Sequence, residues 1–168
     1  MNNKKQFPID FSFYENKSFF NYIPGNNVFI IDTLRKVANY NNNLIFLIGA
    51  SSSGKTHLCK STYLESKKNK LFFNSRNINK LTTDSFENLE LLIIDDFDLI
   101  INNSNTEEKM FHVINDLIMR KQSILLTSSL KIGQIHFKLN DLKSRICSDQ
   151  ILEIKELNDL EKINLLKK

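Results

Sequence analysis

One stretch constrains the fold of this chain more than any other. Leu44 to Leu58 reads LIFLIGASSSGKTHL, and the chain's four glycines include two here, Gly49 and Gly54, with Lys55 and Thr56 directly after. A short apolar run closing on glycine reads as a buried strand, and KTHLCKSTYLES reads as the helix that follows it. Between them, Gly49-Ala50-Ser51-Ser52-Ser53-Gly54-Lys55-Thr56 matches G-x-x-x-x-G-K-[ST] at every fixed position, in the strand-to-helix context the motif needs. The residue types follow from the chemistry. Glycine lets consecutive backbone N–H groups turn onto one phosphate, and the new helix points its positive end at the same place. Lys55 is placed to reach the β- and γ-phosphates, and the Thr56 hydroxyl to ligate Mg²⁺. The candidate nucleotide contacts are therefore Gly49, Ala50, Ser51, Ser52, Ser53, Gly54, Lys55, Thr56 and His57, the last in the helix's first turn.

The rest of the chain alternates in the same way. NNVFIIDTLRKVANY carries Val28, Ile31, Leu34, Val37 and Ala38 at helical spacing, with Asn26 or Asn27 as N-cap. KLFFNS, Leu91 to Ile94, SILLTSS and QILEIK read as four further strands. TEEKMFHVINDLIMRK puts Met110, Phe111, Ile114, Leu117 and Ile118 on one helical face. Glu107 and Glu108 fall in its expected first turn and Arg120 and Lys121 in its last, an order that suits the helix dipole. KIGQIHFKLNDLKSRICSD reads as a loop and a short helix. The expectation is an α/β fold of three layers, α/β/α, around a parallel five-stranded sheet. No repeat or Pro/Gly/Ser linker divides it, so residues 26–168 form one core, preceded by an aromatic-rich arm over residues 1–25.

Composition narrows the function classes. The 168 residues are 41 % apolar and 25 % charged, the profile of a globular protein. No apolar run approaches the roughly 18 residues that span a bilayer. The opening MNNKKQFPIDF has no apolar signal core, so a cytoplasmic protein without membrane contact is expected. A net charge of +4 does not by itself argue for nucleic acid, and ESKKNK reads as a solvated helix end. Cys59 and Cys147 fit no metal or redox spacing and read as core fillers, and His57, His112 and His136 show no ligand spacing.

A phosphate loop needs a carboxylate from a neighbouring strand to complete a Mg²⁺ site, and LLIIDD supplies it. Asp95 is the expected Mg²⁺-shell acid, and Asp96 could orient the attacking water. In LLTSS, the hydroxyls of Thr127, Ser128 and Ser129 fall near the γ-phosphate; Ser128 and Ser129 are sensor candidates, or simply a turn. Arginine is scarce, with four in the chain, and Arg145 in LKSRI is either a guanidinium offered to a neighbour's nucleotide or a surface ion pair.

With these motifs in order, the chain resembles the DnaA/Hda branch of the AAA+ P-loop ATPases over nearly its whole length. GKTHL, LLIIDDFDLI, LLTSS and LKSR are similar to that branch, and YIPGNN resembles the segment packing on the adenine side of its nucleotide. The resemblance implies ADP or ATP with Mg²⁺ as ligand and carries the family's trans-acting arginine to Arg145. Two features bring it closer to Hda, the DnaA regulatory inactivator. Gln6, Ile9 and Phe11 in QFPIDF resemble a sliding-clamp-binding peptide of the Q-x-x-Φ-x-F type, and no helix-turn-helix DNA-reading domain follows. The implied function is negative regulation of DNA replication initiation. On that resemblance the protein would dock on the β sliding clamp of DNA polymerase III, meet DNA only through the clamp, and stimulate ATP hydrolysis by DnaA. It would be an activator more than an independent ATPase, and homo-oligomerisation is compatible with that role. The sequence departs from the family in carrying Ser129 where Asp is usual, and in ending at Lys168, about where a helical lid would begin, so the lid is expected to be absent or truncated. The alternatives are a DnaC-like helicase loader, which shares the fold and binds single-stranded DNA and helicase, and a small P-loop kinase, which would need an acceptor-binding insertion.

Overall fold

A computed structural model of the chain describes residues 17–40, 44–78, 86, 88–101 and 104–158. Five strands form one sheet: β1 (Leu44–Ile48), β2 (Lys70–Phe73), β3 (Leu91–Ile94), β4 (Ser123–Ser128) and β5 (Gln150–Glu153). Their order is β2-β3-β4-β1-β5 and every neighbouring pair is parallel. The helices are α1 (Val28–Asn39), α2 (Lys55–Glu65), α3 (Phe97–Ile100), α4 (Ser104–Met119) and α5 (Asn140–Ile146). The expected three-layer α/β/α architecture with a five-stranded parallel sheet is what forms.

Strand alternation builds two cores. Leu44, Phe46 and Ile48 of β1, with Leu92, Ile94, Ile124 and Leu126, pack against Phe97, Met110, Ile114, Leu117, Leu142 and Ile146 of α3, α4 and α5. Ile45 and Leu47, with Leu91, Ile93 and Leu125, pack against Leu34 and Val37 of α1 and Leu58 and Cys59 of α2. Because both faces are covered, β1, β3 and β4 are buried at every position, which is why β1 and β3 read as unbroken apolar runs and β4 holds one at Ile124 to Leu126. Phe19 joins the second core, so the described end of the N-terminal arm packs on the sheet's helical cover.

Two local expectations change. Asn27 does not cap α1 with its side chain; α1 continues from a 3₁₀ turn, Gly25–Asn27. The Asn27 amide instead donates to the Lys155 carbonyl (2.9 Å) and accepts from the Lys155 N–H (2.8 Å), continuing the line of β5 with a side chain. The last turn of α4 holds no basic residue, because the helix ends at Met119. Arg120 lies beyond it, pairing with Asp116 and donating to the Phe86 carbonyl at 2.9 Å, and Lys121 turns the chain at φ 57°.

Chain order reverses beside β1: the chain leaves β1 for the far edge at β2, returns through β3 and β4, and finishes on the other side at β5. Parallel α/β sheets place their ligand crevice outside the carboxyl ends of the strands at such a reversal.

Candidate functional site

At that point β1 opens into the phosphate loop. The Gly49 N–H donates to the Ser128 carbonyl at 3.1 Å, tying the loop to the end of β4, and the Ser53 N–H donates to the Ala50 carbonyl at 3.1 Å. Ser52 and Gly54 have φ of 63° and 94°. Gly54 is the residue before α2, and its carbonyl accepts from the Leu58 N–H at 2.9 Å. A Cβ at Gly54 would lie 2.8 Å from Cε2 of Tyr22, so both conformation and space demand glycine. Tyr22 also meets His57 edge to face, with ring centroids 5.4 Å apart, and His57 Nε2 is 2.9 Å from the Ser18 carbonyl. The YIPGNN segment therefore lies directly against the loop. Burial pulls the His57 pKa below its usual value, opposed by the Ser18 contact.

Lys55 is 6 % exposed, and its ammonium donates to the carbonyls of Gly49 (2.8 Å) and Ala50 (3.1 Å). These are neutral acceptors; a phosphate oxygen carries charge and is the stronger partner for an ammonium.

The centre of the site is Asp95, 2 % exposed. Thr56 Oγ1 donates to its Oδ2 at 2.6 Å and Thr127 Oγ1 to its Oδ1 at 2.6 Å. The Asp96 N–H donates to Thr127 Oγ1 at 3.0 Å. Sheet register explains the assembly. Ile94 pairs with Leu126, so Asp95 and Thr127 fall level, and alternation points both toward the α2 side, where Thr56 begins the helix. Asp96 takes φ 53° and swings out of the strand. Its pKa is raised by burial first and by the Asp95 charge second, against the pull of Lys55. Burial and Asp95 likewise push the Cys59 thiol, 3.9 Å from Asp95, well above its ordinary range.

These groups fit a nucleotide-borne metal. Thr56 and Asp95 bring a hydroxyl and a carboxylate oxygen to one point, while no cluster of three His, Cys, Asp or Glu among the described residues could hold a metal alone. A Mg²⁺ with one or two protein oxygens, phosphate oxygens and waters matches that donor set.

The remaining candidates divide. Ser128 faces the other side of the sheet; its hydroxyl donates to the Leu130 carbonyl (2.8 Å) and accepts the Leu130 N–H (2.9 Å), closing a turn. Ser129 is exposed, and its N–H donates to Asp98 at 3.3 Å. Thr127 is the hydroxyl of the three that reaches Asp95. Arg145 stands exposed on α5, with no ion pair or hydrogen bond to its guanidinium among the described residues. Gln6, Ile9 and Phe11 lie outside the described residues. Sequence reading singled out neither Tyr22 as the ring against Gly54 nor Asp98 beside Ser129. No helix of the described chain is long and apolar enough to cross a membrane.

The fold and this site define a class: an AAA+ P-loop core, with phosphate loop, strand-end carboxylate and hydroxyl partner in register. A family description, the bacterial DnaA ATPase domain, matches residues 14–155, and the chain belongs to that family. An uncharacterized protein of Haemophilus influenzae is 29 % identical over 96 % of this chain and 74 % of its own length. The chromosomal replication initiator DnaA of Buchnera aphidicola subsp. Baizongia pistaciae is 34 % identical over 91 % of this chain and 38 % of its own. The chain thus spans well under half the length of that DnaA relative. Among solved structures, AMPPCP-bound DnaA from Aquifex aeolicus superposes with a TM-score of 0.78 at 21 % identity, covering 94 % of this chain and 55 % of that one.

Proposed function

We propose that this chain binds ADP or ATP with Mg²⁺ between Gly49–Thr56 and Asp95, and that it regulates replication initiation in the manner of Hda. It docks on the sliding clamp through Gln6, Ile9 and Phe11. From there it presents Arg145 to ATP-bound DnaA, whose hydrolysis turns the initiator off.

The observation that carries the nucleotide part is the line Thr56–Asp95–Thr127, which joins the start of α2 to the ends of β3 and β4 at one carboxylate. Lys55 exchanges its loop carbonyls for phosphate oxygens, and the backbone of residues 49–54 with the N-terminus of α2 receives the remaining charge. Mg²⁺, when bound, neutralises charge on the phosphates; Thr56 and Asp95 would hold it. Asp96, half-buried with a raised pKa, is placed beside Asp95 to orient water. Ser129 is the sensor candidate left exposed, since Ser128 uses its hydroxyl within a turn. The regulatory part rests on the resemblance of QFPIDF to a clamp-binding peptide and of LKSR to the motif of a trans-acting arginine. The exposed Arg145 supports action on a neighbour rather than on its own site.

The test is capture of the sliding clamp by the full chain. Wild type retains the clamp, and Gln6→Ala with Phe11→Ala releases it while ADP binding is unchanged. Capture of replicative helicase and single-stranded DNA, with none of the clamp, would replace this reading with that of a helicase loader.

A further inference from the structure

Glu107 is a carboxylate without an assigned task. It stands in the first turn of α4, where the helix-dipole reading expects it, and is 0 % exposed. Among the described residues no lysine, arginine or histidine forms an ion pair with it. Its oxygens accept backbone N–H groups instead: Lys138 N–H at 2.9 and 3.1 Å, and Leu139 N–H at 2.8 Å. Leu139 immediately precedes α5 and offers no side-chain cap of its own. Glu107 therefore holds, from a different helix, the start of the helix that carries Arg145.

Burying a carboxylate against neutral donors alone is costly, and an apolar residue of similar volume commonly serves stability as well or better. What the carboxylate adds is direction. A helix of seven residues has too few internal hydrogen bonds to fix itself, and α5 is set by what it touches. Leu142 and Ile146 seat its inner face in the core with Met110 and Ile114 of α4. Those apolar contacts resist lifting but leave sliding and rotation soft. The pair of N–H bonds to Glu107 fixes the N-terminal end, and the Ser128–Leu130 turn fixes the other end of the connecting segment.

We infer that Glu107 is a positioning residue for Arg145: it locks the N-terminal end of α5 so that the guanidinium projects at a defined place on the surface. The inference rests on the role proposed above for Arg145. It predicts a specific failure when Glu107 is changed: the protein still binds nucleotide and still meets its partner, but the arginine arrives misplaced. Misplacement of a reacting group by about 1 Å can cost on the order of 10²-fold in rate.

The experiment measures hydrolysis of ATP bound to DnaA, with clamp-loaded DNA, against concentration of wild type, Glu107→Gln, Glu107→Asp, Arg145→Ala and the Glu107→Gln/Arg145→Ala double variant. Amide hydrogen exchange across residues 138–146 is measured on the same proteins. The expected result is a maximal rate about 10- to 100-fold lower for Glu107→Gln, an unchanged half-saturating concentration, unchanged ADP affinity and faster exchange confined to α5. The double variant should lose no more than Arg145→Ala. If Glu107→Gln fails to fold, Glu107→Asp, which keeps the charge and withdraws it by one methylene, carries the same comparison. Full maximal rate for the Glu107 variants, where Arg145→Ala abolishes it, overturns the positioning role alone. So does a Glu107→Gln loss that adds to that of Arg145→Ala. Full rate with Arg145→Ala overturns the reading of Arg145 and the inference with it.

Discussion

Thr127→Val removes one hydroxyl and keeps the side-chain shape, so its cost can be worked from two hydrogen bonds. The bond to Asp95 Oδ1, 2.6 Å long, goes to a buried charged group, and such bonds contribute about 1.5–3 kcal/mol. The half-buried Asp96 N–H loses its acceptor at 3.0 Å, and a lost hydrogen bond of that kind costs about 0.5–1.5 kcal/mol. The two costs share one hydroxyl and valine recovers some apolar burial, so a net loss of about 3 kcal/mol is expected. For a domain of this size that is a fall in Tm of about 6–12 °C. The second consequence is functional. With Oδ1 released, Asp95 can rotate away from Thr56, so the gain in ADP affinity that Mg²⁺ supplies should shrink while affinity in EDTA is kept. Thr127→Ser, which restores the hydroxyl, should recover most of both. The assay is urea denaturation of the nucleotide-free chain with calorimetry of ADP binding with and without Mg²⁺. A Thr127→Val protein within about 0.5 kcal/mol of wild type, the range of unimportant surface changes, would show that the hydroxyl does not hold Asp95.

Lys55→Ala should weaken ADP or ATP binding by about tenfold or more in calorimetry, because a charge-assisted contact worth about 1.5–3 kcal/mol is lost. Gly54→Ala should lower Tm and weaken nucleotide binding together: the residue must hold φ 94°, which costs about 1–3 kcal/mol for an L side chain, and Tyr22 must yield. An unchanged melting curve would show that the loop has another conformation available. His57 binds its proton less readily when folded than when unfolded, so it contributes stability above pH about 6.5 that is lost as pH falls below it. Wild-type melting temperature should therefore drop between pH 7 and 5.5, and His57→Gln, which can still donate to the Ser18 carbonyl, should flatten that drop.

Much of this architecture was legible because the parallel sheet is buried on both faces, which writes β1 and β3 as unbroken apolar runs, LIFLI and LLII. The phosphate loop was legible for a different reason: a Cβ on Gly49 would collide with Ser53 Oγ, and Gly54 must hold φ 94° against Tyr22, so both positions ask for glycine. What sequence could not supply was partner choice across distance. Three adjacent hydroxyls, Thr127, Ser128 and Ser129, look equivalent in LLTSS, and only register with β3 and strand parity select Thr127 for Asp95. Asn27 offers no hint that its amide is claimed by Lys155, 128 positions away. Glu107 reads as an ordinary first-turn acid until a segment 31 residues further on folds over it.

The role proposed for Arg145, acting on the nucleotide of another protein, can be read from a single rate. The most direct measurement is single-turnover hydrolysis of ATP bound to DnaA, with clamp-loaded DNA, in the presence of wild type, Arg145→Ala or Arg145→Lys. An arginine completing a neighbour's site contributes about 10³–10⁵ in rate. Wild type should stimulate strongly, Arg145→Ala not at all, and Arg145→Lys little, because a point ammonium cannot reproduce the planar guanidinium fork. All three should bind ADP equally. Stimulation by Arg145→Ala equal to that of wild type would contradict that role.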